Sequence, residues 1–198
     1  MVDVALHPQL IGPQQHPGIC VLVDALAGSP ALAAALDDSD ETLTLPTAYT
    51  ERLTTIAVAI ASEHAATQII VGALPNARPC VTALARLLAA TDANQPRLTF
   101  VCTGSGHEVA APDVYVAGAL VRMLLEECDA ALMLTDAAGI AVSIASTFAD
   151  DQSALSASAG DDDTDQALRQ LATQRDLYGA VPELLVDPDG VVTARRLA

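Results

Sequence analysis

The sequence predicts an α/β protein with three layers, helices on both faces of a central sheet. Two observations carry this. Gly18–Asp24, Gln68–Leu74 and Leu98–Cys102 are short apolar runs rich in β-branched residues, unalternated as strands buried on both faces must be. Between them lie segments whose apolar residues recur at helical spacing, and strands alternating with helices fold as α/β layers.

Taken in order, residues 1–17 form an irregular N-terminal segment with Pro8, Pro13 and Pro17, although Val2–Leu6 suits a short edge strand. A single α/β domain then spans residues 18–198. Ile19–Val23 is its first central strand and ends on Asp24. Ser29 followed by Pro30 reads as an N-cap with proline at the first helical position, opening a short helix to about Leu36. The acidic run Asp37–Glu41 reads as a solvated turn, and Leu43–Leu45 as a small strand. Glu51–His64 reads as a helix despite its β-branched residues.

The second strand, Gln68–Leu74, precedes Asn76, which reads as the cap of a helix burying Ala77, Cys80, Val81 and Leu84. Leu98–Cys102 follows, then the loop Thr103–Gly106, then a helix from Pro112. Gly118 inside that helix costs roughly 1 kcal/mol against alanine and suggests close packing. The stretches 129–148 and 165–175 read as helical, and 150–160 as small and polar. Val181–Val186 and Val191–Leu197 flank an Asp-Pro-Asp-Gly turn as a closing hairpin.

Composition narrows the function. A net charge of −16 would repel nucleic acid and anionic membrane alike. All nine basic residues are arginine, so an anionic ligand needs local help from Arg, backbone N–H groups or a cation. Cys20, Cys80, Cys102 and Cys128 are scattered without a Cys-x-x-Cys pair, which reads as reduced cysteines in a cytoplasmic protein. No basic segment followed by an apolar one marks a secretion signal, and no apolar run approaches the ~20 residues of a membrane span.

The strand–loop–helix unit at Phe100–Asp113 is the candidate site. A strand that ends in a small-residue loop presents N–H groups where ligands bind in open α/β sheets, and these favour anions. Asp113 at the helix start is a dipole partner or a metal ligand, and by residues alone an ordinary turn with an acidic first-turn residue is the commoner origin of such a pattern. Other motifs fail. Gly104-x-Gly106 lacks the third glycine of a dinucleotide fingerprint, where Val109 stands. Asp161, Asp163 and Asp165 lack the glycine and glutamate of a calcium loop, no Gly-x-Ser-x-Gly elbow occurs, and the four histidines have no metal spacing.

Val71–Ala77, Phe100–Gly104 with Asp113 and Ala117-Gly118, and Tyr178–Pro182 together resemble the 2-phosphosulfolactate phosphatase (ComB-like) family. Val71-Gly-Ala-Leu-Pro-Asn76-Ala77 is similar to its Gly-Ser-Leu-x-Asn-Ala segment. Phe100–Gly104 with Asp113 and Ala117-Gly118 is similar to its Cys-Ala-Gly…Glu-Asp…Ala-Gly segment. Tyr178–Pro182 resembles its closing Val-Pro strand, and the likeness runs from about Cys20 to Val192. Departures accompany it: Asp24 is kept, but Ala27 replaces the family arginine. Thr54-Thr55 remain from a Thr-Thr-Asn-Gly-Thr run, and Pro112 replaces the Glu before Asp113.

The resemblance implies the ComB-like three-layer fold and a Mg²⁺-dependent phosphatase acting on a small phosphorylated 2-hydroxy acid. Asp24 and Asp113 would be catalytic and metal-binding carboxylates. Ser29, Asn76, Arg78, Thr103, Gly104, Ser105 and Gly106 would hold the anion, with Arg78 the nearest replacement by position for the lost arginine. The departures keep a second class open, a degenerate member that binds a small anion or serves in an assembly. Alanine-rich helices leave room for a homo-oligomer.

Overall fold

A computed structural model describes residues 1–11, 18–39, 41–47, 49–64, 67–90, 97–105, 108–128, 132–148 and 163–197. Seven strands form one mixed sheet in the order β1-β5-β2-β4-β6-β7-β3. They are β1 Val2–Ala5, β2 Ile19–Val23, β3 Leu43–Leu45, β4 Gln68–Val71, β5 Leu98–Cys102, β6 Pro182–Val186 and β7 Val192–Arg196. Described helices are α1 Gly28–Asp37, α2 Glu51–Glu63, α3 Ala77–Ala90, α4 Ala111–Glu127, α5 Asp136–Thr147 and α6 Asp163–Thr173. The readings of residues 150–160, of Gly106 and of His107 lie outside the described residues.

The three apolar runs are adjacent and parallel, β5 and β4 flanking β2. Every residue of β2 and β5 is buried, which is why neither run alternates. The pleat divides them between two cores. Val21, Ile70 and Phe100 face one core with residues of α3, α4 and α5. Cys20, Leu22 and Val71 face the other with residues of α1 and α2. The molecule is therefore the expected α/β/α sandwich. The sheet extends further toward the N-terminus than residue 18: β1 pairs in parallel with β5, so Val2–Ala5 is a buried edge strand of the same sheet. At the other side β6 and β7 make the closing hairpin, β6 antiparallel to β4 and β7 antiparallel to β6.

Three local readings are corrected. Helix α1 starts at Gly28, one residue ahead of Ser29, with Ala27 at the N-cap, so Ser29 is not the cap. Strand β4 stops at Val71, and Leu74–Asn76 is a single 3₁₀ turn leading into α3. Of the helix read over 129–148, residues 129–131 lie outside the described residues, and from 132 onward it begins at Asp136, where Thr135 caps it by accepting from the N–H of Ala138. Gly118 explains itself: a Cβ there would run into the backbone carbonyl of Ala141 on α5.

This topology makes a crevice. From β2 the chain turns into α1 on one face, and beyond β5 it enters α4 on the other. Adjacent parallel strands whose exits diverge leave a gap at their carboxyl ends, the place where open α/β sheets bind ligands.

Candidate active site

Asp24 and Asp113 meet in that crevice. Asp24 directly follows β2 and is 6% exposed; Asp113, in the first turn of α4, is 3% exposed. Asp113 is held by three donors from two loops. Its Oδ1 accepts from the N–H of Ala25 at 2.9 Å. Its Oδ2 accepts from the N–H of Gly104 at 2.9 Å and from the Thr103 hydroxyl at 3.2 Å. Asp24 is fixed from behind, its own N–H donating to Ser29 Oγ at 2.9 Å.

Electrostatics sets the two apart. Burial pushes the Asp113 carboxyl up to about 7; the N–H of Ala25 opposes this, and the nearby Asp24 charge adds to it. Burial also raises Asp24, but the Arg52 guanidinium and the N–H groups of Gly28 and Ala27 at the start of α1 pull it back. Two buried carboxylates this close repel, so the pair favours either one proton or a cation.

Arg52 is the residue that sequence reasoning missed. It stands in the first turn of α2, and its Nη1 donates to the carbonyl of Gly104. A cleft of about 400 Å³ is lined by Asp24, Ala27, Tyr49, Glu51, Arg52 and Thr55. The guanidinium thus stands in the cleft beside Ala27, where the resemblance left a gap. Its only signal in the sequence was position, two residues before Thr54-Thr55, in a chain with nine basic residues.

Of the expected anion-holding residues, Thr103 and Gly104 are in the site, where they grip Asp113. Gly104 has φ +73°, and a Cβ there would lie 2.6 Å from the carbonyl of Glu108 and 2.8 Å from the His7 ring, so only glycine fits. Ser105 is exposed and closes a tight loop by exchanging backbone hydrogen bonds with Glu108.

Three others stand elsewhere or face inward. Ser29 is fully buried and serves Asp24. Asn76 is fully buried too: its Oδ1 accepts from the N–H of Ala73, and its Nδ2 donates to the carbonyls of Val71 and Ala180. It ties β4 to the C-terminal hairpin. Arg78 lies in a separate groove with Arg86 and Tyr178, and its Nε faces Asp176 at 3.8 Å. A polar residue at a helix start looks the same in sequence whichever way it turns.

The 2-phosphosulpholactate phosphatase family model matches residues 49–185, more than half of the chain. The chain belongs to this family. The family match takes in Arg52, Thr103, Gly104 and Asp113, and it begins after Asp24. Curated proteins yielded no match.

Phosphatases of this class commonly use a metal ion, and the donor set can be weighed for one. Among the described residues no three His, Cys, Asp or Glu side chains come together. A cation here would rest on Asp24 and Asp113, completing its shell with water and substrate oxygens, which is the habit of Mg²⁺. Asp113 Oδ1 accepts one hydrogen bond and so keeps a lone pair. These hard oxygen donors suit such an ion. Among the described residues no helix is long and apolar enough to cross a membrane.

Proposed function

We propose that the chain is a Mg²⁺-dependent phosphomonoesterase acting on a small phosphorylated 2-hydroxy acid of the 2-phosphosulfolactate type. The supporting observation is that Asp24, Asp113 and Arg52 converge at the carboxyl ends of β2 and β5. Phosphoryl transfer needs positioning and charge neutralisation more than covalent chemistry, and this set is suited to both.

Asp24 and Asp113 would hold the cation. Bound there, Mg²⁺ supplies charge neutralisation at the phosphoryl oxygens and lowers the pKa of a coordinated water. The chain's own residues supply the rest. Arg52, exposed along the cleft, offers a guanidinium to the phosphoryl oxygens while its bond to the Gly104 carbonyl fixes its direction. Thr103, Gly104 and Ala25 hold the Asp113 carboxylate in one orientation. Ser29 does the same for the backbone at Asp24.

The test is release of phosphate from a panel of phosphorylated 2-hydroxy acids, beginning with 2-phosphosulfolactate, with Mg²⁺ and with EDTA. Mg²⁺-dependent release is expected, from one member at least. Folded protein that releases none would turn the reading to an anion-binding relative without turnover.

A further inference from the structure

A larger cleft adjoins the site and has a chemistry of its own. It holds about 630 Å³ and shares Arg52 and Thr55 with the smaller Asp24 cleft. Thr103, whose hydroxyl grips Asp113, is part of its wall, and through Arg52 and Thr55 the cleft continues into the one that Asp24 lines. Much of the remaining wall is apolar: Ile11 from the N-terminal segment, and Ile56, Ala59 and Ile60 along one face of α2. Its polar groups include the largely buried His7 and His64, and Glu63.

The charges decide what can lie there. Arg52 is the one Lys or Arg among the described lining residues of either cleft, and Glu63, Glu51 and Asp24 stand against it. One guanidinium and a cation can serve a phosphoryl group. A sulfonate, anionic at any working pH, would then share a wall with isoleucines, a glutamate and the polar groups of Gln9, Thr55, His7 and His64. No arginine or lysine beyond Arg52 is among the described lining residues, and a charge without a full counter-charge in a partly apolar cleft is costly. A branched alkyl or aromatic group would instead bury its surface against Ile56, Ile60 and Ala59.

We propose that this cleft binds the carbon skeleton of the substrate, and that the substrate is a phosphorylated 2-hydroxy acid bearing an uncharged branched-alkyl or aryl group where 2-phosphosulfolactate carries its sulfonate. This rests on the phosphatase reading and specifies it. The phosphoryl group lies between Arg52 and the carboxylates, and the side group points along α2 away from them.

The experiment compares kcat/KM for three esters: 2-phosphosulfolactate and the 2-phosphates of 2-hydroxy-4-methylpentanoate and of 3-phenyllactate. At least a ten-fold preference for the two uncharged side groups is expected. Ala59→Trp, at an exposed helix position, fills the cleft without a buried clash. It should bring the ratio between the phenyl and sulfonate esters down toward one, with the melting temperature showing that the variant is folded. A sulfonate ester turned over as well as the others would overturn the proposal and leave the phosphatase reading standing. A ratio untouched by Ala59→Trp would overturn it too. If no ester is turned over, the phosphatase reading falls, and calorimetric titration of the same esters becomes the measure. Ten-fold tighter binding of the phenyl ester, reduced in Ala59→Trp, would still support the cleft assignment; equal affinities would overturn it.

Discussion

Asp113 Oδ1 and the backbone N–H of Ala25 are 88 residues apart in sequence and 2.9 Å apart in space. This bond joins the exit of β2 to the start of α4 across the crevice, and it brings the two carboxylates into one electrostatic unit. Removing the charge at one should therefore be felt at the other.

The first prediction concerns proton linkage at Asp113. Its carboxyl is raised from an ordinary 3.8 to about 7, chiefly by burial. A raised carboxyl contributes stability that is fully present below about pH 3.8 and is lost as pH rises through about 7. In EDTA, wild type should lose roughly 2–4 kcal/mol more than Asp113→Asn between pH 4.5 and 8. Urea unfolding midpoints of the two proteins across that range measure it; parallel curves would mean Asp113 is ionised throughout.

Mg²⁺ should reverse that trend. A ligand that binds only the native state at a hundred times its Kd adds about 2.7 kcal/mol. Because the ligands must lose their protons, the gain should be larger at pH 8 than at pH 6. Asp24→Asn should lose most of it. An equal rise in melting temperature for variant and wild type would place the cation elsewhere.

Arg52→Ala should lower kcat/KM by about 10²–10³, the usual cost of deleting one donor to developing phosphoryl charge. Arg52→Lys should recover only part, since an ammonium cannot present two parallel N–H groups. Arg78→Ala, in its separate groove, should leave turnover within a few-fold of wild type. Steady-state kinetics on the best ester decides among these, and a larger loss from Arg78→Ala than from Arg52→Ala would reverse the assignment.

How far the sequence reaches is visible in these residues. Strands β2 and β5 were legible to the residue, because a run buried on both faces has no alternation to confuse. Asp113 was singled out by its place in a strand–loop–helix unit and Asp24 by the resemblance, and the structure brings the two to one crevice. Arg52 was not, since its place depends on how α2 crosses the crevice. Ser29 and Asn76 were misread as facing the cleft because hydrogen bonds to buried backbone groups leave no pattern. Arg78 was favoured by position alone, and its ion-pair partner lies 98 residues away.

Gly118→Ala isolates packing from chemistry. Helix propensity alone would favour alanine by roughly 1 kcal/mol. The new methyl would instead meet the Ala141 carbonyl, which cannot yield without moving α5. Overpacking of this kind costs about 1–3 kcal/mol and sometimes more, so net destabilisation is expected in thermal melting. A variant as stable as wild type would show that α4 and α5 are less closely seated.

The donors that hold Asp113 are chiefly main-chain atoms, the N–H groups of Ala25 and Gly104. A mutational scan should therefore give an uneven map of the site. At residue 25, buried in the core, glycine or serine should be tolerated and larger side chains not, because every amino acid except proline brings the same N–H and only the space around it limits the choice. At residue 104 almost none should be, because the positive φ and the His7 ring exclude a side chain. The lineage of such a pocket can change its letters among small residues at one position and hardly at all at the other, while the carboxylate between them stays where it is.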